Sequence, residues 1–277
     1  MRLIGLTILA LIAFAANSVL ARLALSGDVI ASGSFTLIRI VSGACVLALL
    51  LQRRAFNSGS WAGGLALLSY AGFFSWAYLS LGAGTGALIL FAAVQVTMIG
   101  AGLLMGERLG VVQWLGFFMA IAGLVFLLAP GLSAPPIIGA GLMAVSGISW
   151  GLYSLIGRGC QNPSAQTAGN FIRAAVMAIA LSLPLFWLWP EPLPTAKGIV
   201  LALTSGIITS GFGYILWYAA LKSLRASQAG IAQLMVPPLA ALGGVLFLSE
   251  TISLRFLLAS TIILIGVVLA TRQKDMP

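Results

Sequence analysis

Phe14-Ala15-Ala16-Asn17-Ser18-Val19-Leu20-Ala21-Arg22 reads against Trp150-Gly151-Leu152-Tyr153-Ser154-Leu155-Ile156-Gly157-Arg158, matching an aromatic, a serine, a small residue and an arginine. The correspondence continues downstream. Phe35-Thr36-Leu37-Ile38-Arg39 falls on Gly169-Asn170-Phe171-Ile172-Arg173, and Gly106-Glu107 falls on Ser249-Glu250. Self-similarity at this period marks a duplicated unit. The joint is Leu132-Ser133-Ala134-Pro135-Pro136, where prolines stop one helix and start the next, so the repeats are residues 1–131 and 132–277.

The duplicated unit is apolar. The chain is 61% hydrophobic and 7% charged, against about 25% charged residues in a soluble domain, so it cannot cover a water-facing surface. Its apolar runs fit helices of about 20 residues, which cross a hydrocarbon core of about 30 Å while satisfying their own backbone groups. The expected fold class is an all-α polytopic membrane protein of ten transmembrane helices. The first five spans are Leu3–Leu25, Ala31–Gln52, Trp61–Leu81, Thr85–Met105 and Val111–Ala129. The second five are Pro136–Gly157, Ala165–Trp189, Gly198–Leu221, Ala226–Leu248 and Ile252–Thr271. The join around Gly82-Ala83-Gly84 is the shortest between neighbouring spans.

An odd number of spans per unit makes the second copy enter the membrane from the opposite side, so the two five-helix repeats are inverted. With the N-terminus inside, Arg2, Arg53, Arg54, Arg108, Arg158, Lys222, Arg225, Arg272 and Lys274 lie on the cytoplasmic side, and Arg22, Lys197 and Arg255 on the other. That bias puts both termini in the cytoplasm, and the net charge of +9 reads as a topology signal rather than a nucleic-acid surface. Met1-Arg2 and the following apolar run could be read as a cleaved leader, but the run is long enough to cross and is the repeat partner of an internal span. Cys45 within a span and Cys160 in a loop lack the company for a disulfide or a metal site. Inverted repeats around one central site suit a transporter, whose halves form two gates.

These residues resemble the drug/metabolite transporter superfamily, in its ten-helix branch built from two EamA-type repeats. The resemblance rests on the first span of each repeat ending in a basic residue, on Arg39 and Arg173, and on the glutamates closing each fourth span. Pro237-Pro238 followed by Gly243-Gly244 and Glu250 is similar to the family's fourth span, whereas the first repeat carries Val94-Gln95 at the proline positions. Within the superfamily the chain looks most like bacterial amino-acid exporters of the YddG type. The resemblance implies a basket in which the first, third and fourth spans of each repeat line a cavity and the fifth and tenth pack outside.

Within that basket, Asn17, Gln95 and Gln233 are amides that can bond both an ammonium and a carboxylate without trapping a zwitterion. Trp76, Tyr78, Trp150, Tyr153, Tyr214 and Trp217 would shape a side-chain pocket and could stack on a substrate ammonium. The alternative for the amides is interhelical bonding worth about 1 kcal/mol each, and for the aromatics plain packing. Arg39 and Arg173 lie about 12 Å deep, counted at 1.5 Å per residue. Either they offer a cation to a substrate carboxylate, or they snorkel and hold equivalent helices together. Pro237 and Pro238 would kink their span and act as a hinge. Trp61, Trp114, Trp187 and Trp189 fall near span ends, as an interfacial belt does.

The absences exclude several classes. There is no histidine, and Asp28, Glu107, Glu191, Glu250 and Asp275 all fall in loops or at span ends. A proton-coupled exporter of cationic drugs would carry a buried acid. Intramembrane proteolysis or metal chemistry would need serine–histidine pairs, aspartate pairs or ligand clusters, so no enzyme, metal or cofactor is expected. Glu107 and Glu250 are expected to act as helix-end partners for Arg108 and Arg255. The expectation is an alternating-access exporter of amino acids (aromatic or neutral) or similar metabolites in a bacterial inner membrane, working as a monomer with a small-molecule substrate and lipid as its partners. The alternatives are a carrier of nucleotide sugars, organic anions or drugs, and a channel-like facilitator or lipid scramblase.

Overall fold

The structure, a computed structural model, describes residues 2–27, 29–106, 108–131, 134–157, 160–221 and 232–270. Asp28, Glu107, Arg158, Lys222, Arg225, Arg272, Lys274 and Asp275, which entered the sequence reading, lie outside the described residues. Among the described residues the regular elements are helical, with no strand. Before the joint come α1 (Arg2–Leu25), α2 (Ser32–Leu51), α3 (Trp61–Ala77), α4 (Ala83–Leu104) and α5 (Val111–Leu128). After it come α6 (Ile137–Ile156) and α7 (Pro163–Leu188). Next is α8, which runs through Ala196–Thr204, a π-helical stretch Ser205–Phe212 and Gly213–Leu221. The last two are α9 (Val236–Leu248) and α10 (Leu254–Ala270). Seven of these, α1, α2, α4, α5, α6, α7 and α8, are long and apolar enough to cross a membrane. The protein is therefore a multi-pass membrane protein.

Some boundaries follow from local chemistry. Ser60, Asn162 and Thr195 are N-caps whose side-chain oxygens accept from the amides of Gly63, Ala165 and Gly198 at 3.0, 3.2 and 3.1 Å. Pro163 follows Asn162 at the first position of α7, where its missing N–H costs nothing. Helices α2 and α4 have neither a side-chain cap nor an acid in the first turn. Their caps come from far along the chain. Glu191 accepts from Gly33 N, Ser34 N and Ser34 Oγ at 3.1, 2.9 and 2.7 Å, and Glu250 accepts from Ala83 N at 2.9 Å. Each carboxylate thus meets the positive end of a helix dipole.

One expectation is corrected here. Glu250 pairs not with Arg255 but with Arg22, Nε to Oε1 3.3 Å, because the turn between α9 and α10 folds over the start of α4 where α1 ends. Arg255 donates instead to the carbonyls of Ala129 and Pro130. Pro237 and Pro238 occupy the first turn of α9, after a turn at Leu234-Met235 that interrupts the span, where amide donors have no intrahelical partner to lose.

Helices α3 and α6 pack together, as do α8 and α1; α4 packs on α6, and α9 on α1. Helix α7 crosses both α2 and α3, and α8 crosses α2. Helix α5 sits mainly on α10, through small residues. A Cβ at Gly266 would stand 2.6 Å from Ala120 N and 2.7 Å from Gly116 O. Backbone cannot yield as a side chain can, so Gly266→Leu is expected to destabilise by about 3 kcal/mol, an overpacking cost at the upper end of the usual range. Thermal unfolding in detergent checks it, and a melting temperature equal to the parent's would refute the contact.

Candidate functional site

The centre of the bundle holds a cavity of about 20 Å³, lined from α1 by Phe14, Asn17 and Ser18, and from α3 by Tyr70 and Phe74. The remaining walls are Leu90 and Phe91 of α4, Trp150 of α6, and Thr209 and Tyr214 of α8. That volume holds about one water, so the site is closed in this conformation.

The polar side of the cavity is built by the π-helical stretch. Its wider spiral presents Ser205, Thr209 and Ser210, all buried, to the bundle interior. Asn17 Oδ1 accepts from Ser205 Oγ at 2.7 Å and Thr209 Oγ1 at 3.0 Å, tying α1 to α8. Such local widening recurs at functional sites because it turns side chains off the regular helical register.

The apolar side is an aromatic shell. Trp150 stacks on Tyr153 (5.2 Å between centroids) and leans on Tyr70 at 4.8 Å and Tyr214 at 5.1 Å. Phe14 meets Tyr214 and Trp217 edge-on at 5.8 and 5.7 Å. The Tyr153 hydroxyl donates to Thr167 Oγ1 at 3.1 Å, while the buried Tyr214 hydroxyl has no hydrogen-bond partner among the described residues.

Of the residues singled out from sequence, Asn17, Trp150 and Tyr214 line this cavity, and Tyr153 and Trp217 back it. Others lie elsewhere. Trp76 is 50% exposed and belongs to a separate lateral cleft of about 270 Å³ between α2, α3 and α7. Tyr78, by contrast, also backs the cavity: buried at the end of α3 with its ring 4.7 Å from that of Phe74, it donates to Ala83 O at 3.2 Å and closes over Gly86. Gln95 is buried one turn beyond Phe91 on α4, without a hydrogen bond to another described residue, and Gln233 is half-buried before α9.

Arg39 and Arg173, which the sequence comparison aligns, have different surroundings. Arg173 Nη1 donates to the carbonyls of Ser58 and Gly169 at 2.6 and 3.0 Å, with the guanidinium 5.9 Å from the Trp61 ring at the mouth of α3. That is the snorkelling reading. Arg39 is 1% exposed, with Nε to Ser210 Oγ at 3.2 Å and Nη2 to Tyr70 OH at 3.1 Å. Tyr70 and Phe74 were missed from sequence, although with Tyr78 they form an i, i+4, i+8 aromatic stripe that puts them on one helix face. Ser205 and Thr209 carry the same four-residue signal for hydroxyls.

Comparison with known proteins places the chain. An EamA-like transporter family model matches residues 137–272. An uncharacterized protein of Pseudomonas aeruginosa is 49% identical over 272 residues, 97% of this chain and 94% of that one. An uncharacterized transporter of Archaeoglobus fulgidus is 25% identical over 209 residues, 71% of this chain and 72% of that one. The threonine/homoserine exporter RhtA of Salmonella typhimurium is 29% identical over 150 residues, 51% of this chain and 48% of that one. A solved protein crystal structure superposes with a TM-score of 0.65 at 21% identity, covering 95% of this chain and 96% of that one, which shows a shared fold. The second half of the chain, residues 137–272, is thus similar to the EamA-like transporter family, and the chain is similar to proteins of which several are named as transporters.

Proposed function

We propose that this protein is a membrane transporter of the EamA-like family that exports amino acids or similar small metabolites across a bacterial inner membrane by alternating access. In this reading the chain crosses the membrane ten times, as two inverted five-helix repeats, residues 1–131 and 132–277, with both termini in the cytoplasm. The packing supports it: exchanging α1–α5 for α6–α10 in order turns the α3/α6 contact into α8/α1, α4/α6 into α9/α1, and α3/α7 into α8/α2. A pseudo-twofold bundle can swap the roles of its two ends by rocking one half on the other.

The observation that carries the reading is the narrow central cavity. It is walled by five helices from both halves, with an amide and hydroxyls on one side and aromatic rings on the other. At about 20 Å³ it excludes any amino acid, so binding requires the halves to part, which is how a carrier differs from an open channel or a scramblase. Similarity to a threonine/homoserine exporter favours amino acids, and the YddG-type resemblance favours aromatic or neutral ones.

Counterflow tests this. Proteoliposomes preloaded with unlabelled phenylalanine or threonine and kept free of ion gradients are expected to accumulate the labelled amino acid above empty liposomes. Failure of both by folded protein would transfer the reading to other metabolites, for which the buried Arg39 favours organic anions.

A further inference from the structure

Arg39 is the largest fully buried side chain among the described residues. Guanidinium stays protonated in proteins, so this is a full positive charge in the bundle interior. Burying a charge is costly unless it is paired and every donor is bonded. Arg39 meets neither condition. The one ion pair among the described residues is Arg22 with Glu250, and Glu191 is engaged with Gly33 and Ser34. Nε and Nη2 reach only neutral hydroxyls, and Nη1 has no hydrogen-bond partner among the described residues.

The surroundings tie this cation to the central cavity. The guanidinium carbon lies 5.2 Å from the Tyr70 ring centroid and 4.9 Å from that of Phe74, and both rings line the cavity. Ser210, which holds Nε, belongs to the same π-helical stretch that supplies Thr209 to the cavity wall. The Tyr214 hydroxyl is a second buried donor left without a partner among the described residues, on another ring of the same wall. Two unused donors and one charge met only by ring faces and neutral hydroxyls, behind one aromatic shell, lack the same thing, an oxyanion. Arg173 rules out a general requirement of the fold, because at the position the sequence comparison aligns with Arg39 its charge is bonded to carbonyls at a helix mouth.

We propose that Arg39 Nη1 and the Tyr214 hydroxyl receive the carboxylate of the transported molecule when the cavity opens, the aromatic shell taking its side chain. This rests on the central cavity being the transport site, and it makes the carboxylate the obligatory group of the substrate. An ammonium is dispensable, since no acid among the described residues lines the cavity to hold it.

The test uses the full-length protein in lipid nanodiscs, reading thermal shift and tryptophan fluorescence. The ligands are phenylalanine, 3-phenylpropanoate, which lacks the ammonium, and phenethylamine, which lacks the carboxylate. Benzoate and lactate extend the carboxylates, and sodium chloride is the inorganic-anion control. Phenylalanine and 3-phenylpropanoate are expected to bind and phenethylamine not. Arg39→Gln is expected to weaken both at least tenfold, and Arg39→Lys to recover part of the loss. Tyr214→Phe removes a hydroxyl that bonds no described residue, so it should fold as the parent does while binding carboxylates several-fold more weakly. It decides the matter should Arg39→Gln not fold. Binding of phenethylamine as tight as that of phenylalanine, an equal response to chloride, carboxylate binding unchanged in the folded variants, or no carboxylate bound at all would each overturn the proposal. Arg39-dependent binding of benzoate or lactate without phenylalanine would sink the amino-acid reading and leave this one standing. Phenylalanine bound equally by parent and variants would do the reverse.

Discussion

Gly206→Val is expected to abolish both counterflow and a stable fold. A Cβ at Gly206 would collide with the Arg39 carbonyl and Ser42 Oγ on α2. On the facing side, a Cβ at Gly43 would stand 2.7 Å from Phe171 Cε1 and 3.1 Å from Gly206 O. The backbones of α2 and α8 therefore touch, with α7 closing over them, and no rotamer change makes room. Overpacking of this kind costs about 3 kcal/mol, and valine adds branching at the crowded atom. The damage also has a functional component, because the crossing aligns Arg39 with Ser210. Gly100→Ala in α4, where an added Cβ meets nothing within 4 Å, is the control. It should be neutral or more stable by up to about 1 kcal/mol through helix propensity. Melting curves and counterflow on both variants check the pair; a Gly206→Val protein that melts and exchanges like its parent would refute the contact.

The second large effect is expected at Glu250. Its carboxylate joins three elements: it pairs with Arg22 at the end of α1, accepts from Ala83 N at the start of α4, and projects from the turn between α9 and α10. Arg22 Nη1 also holds the carbonyls of Tyr78 and Leu79 at 3.0 and 3.1 Å, so the turn between α3 and α4 belongs to the same knot. Both side chains are only 22% exposed, and a Cβ at Gly244 or Gly82 would press on the carboxylate. Glu250→Ala leaves a helix-start amide and a guanidinium without their acceptor, and charge-assisted bonds of this kind contribute about 1.5–3 kcal/mol each. If this knot is the closed gate of one face, its loss should raise several-fold the labelling of a cysteine placed at Ser18 in the cavity wall. The reagent would be membrane-impermeant and supplied from that face, with Cys45 and Cys160 replaced by serine. Glu250→Gln, which keeps an acceptor, should fall between. Unchanged labelling in Glu250→Ala would assign the knot to stability alone.

Much of the helix pattern was legible in the sequence. Ser60, Asn162-Pro163 and Thr195 announce helix starts through their own side chains, and Gly82 breaks the chain before α4. Trp61, Trp114, Trp187 and Trp189 are exposed near helix ends. The candidate site was legible only in part. Asn17, Trp150 and Tyr214 reach the cavity, yet Trp76, an aromatic in the same span as Tyr70 and Phe74, turns outward. In a span whose every face is apolar, no amphipathic stripe separates the side against lipid from the side against protein.

Composition, span length and local caps by themselves determined a helical membrane bundle, because hydrocarbon forces each segment to close its own backbone bonds. Three things were decided only by the tertiary structure. Acids far along the chain cap α2 and α4, a π-helical widening turns three hydroxyls inward, and two arginines that the sequence comparison aligns took different partners. Each depends on which helices meet across the bundle, and a charge or hydroxyl in lipid takes its role from the neighbour that satisfies it.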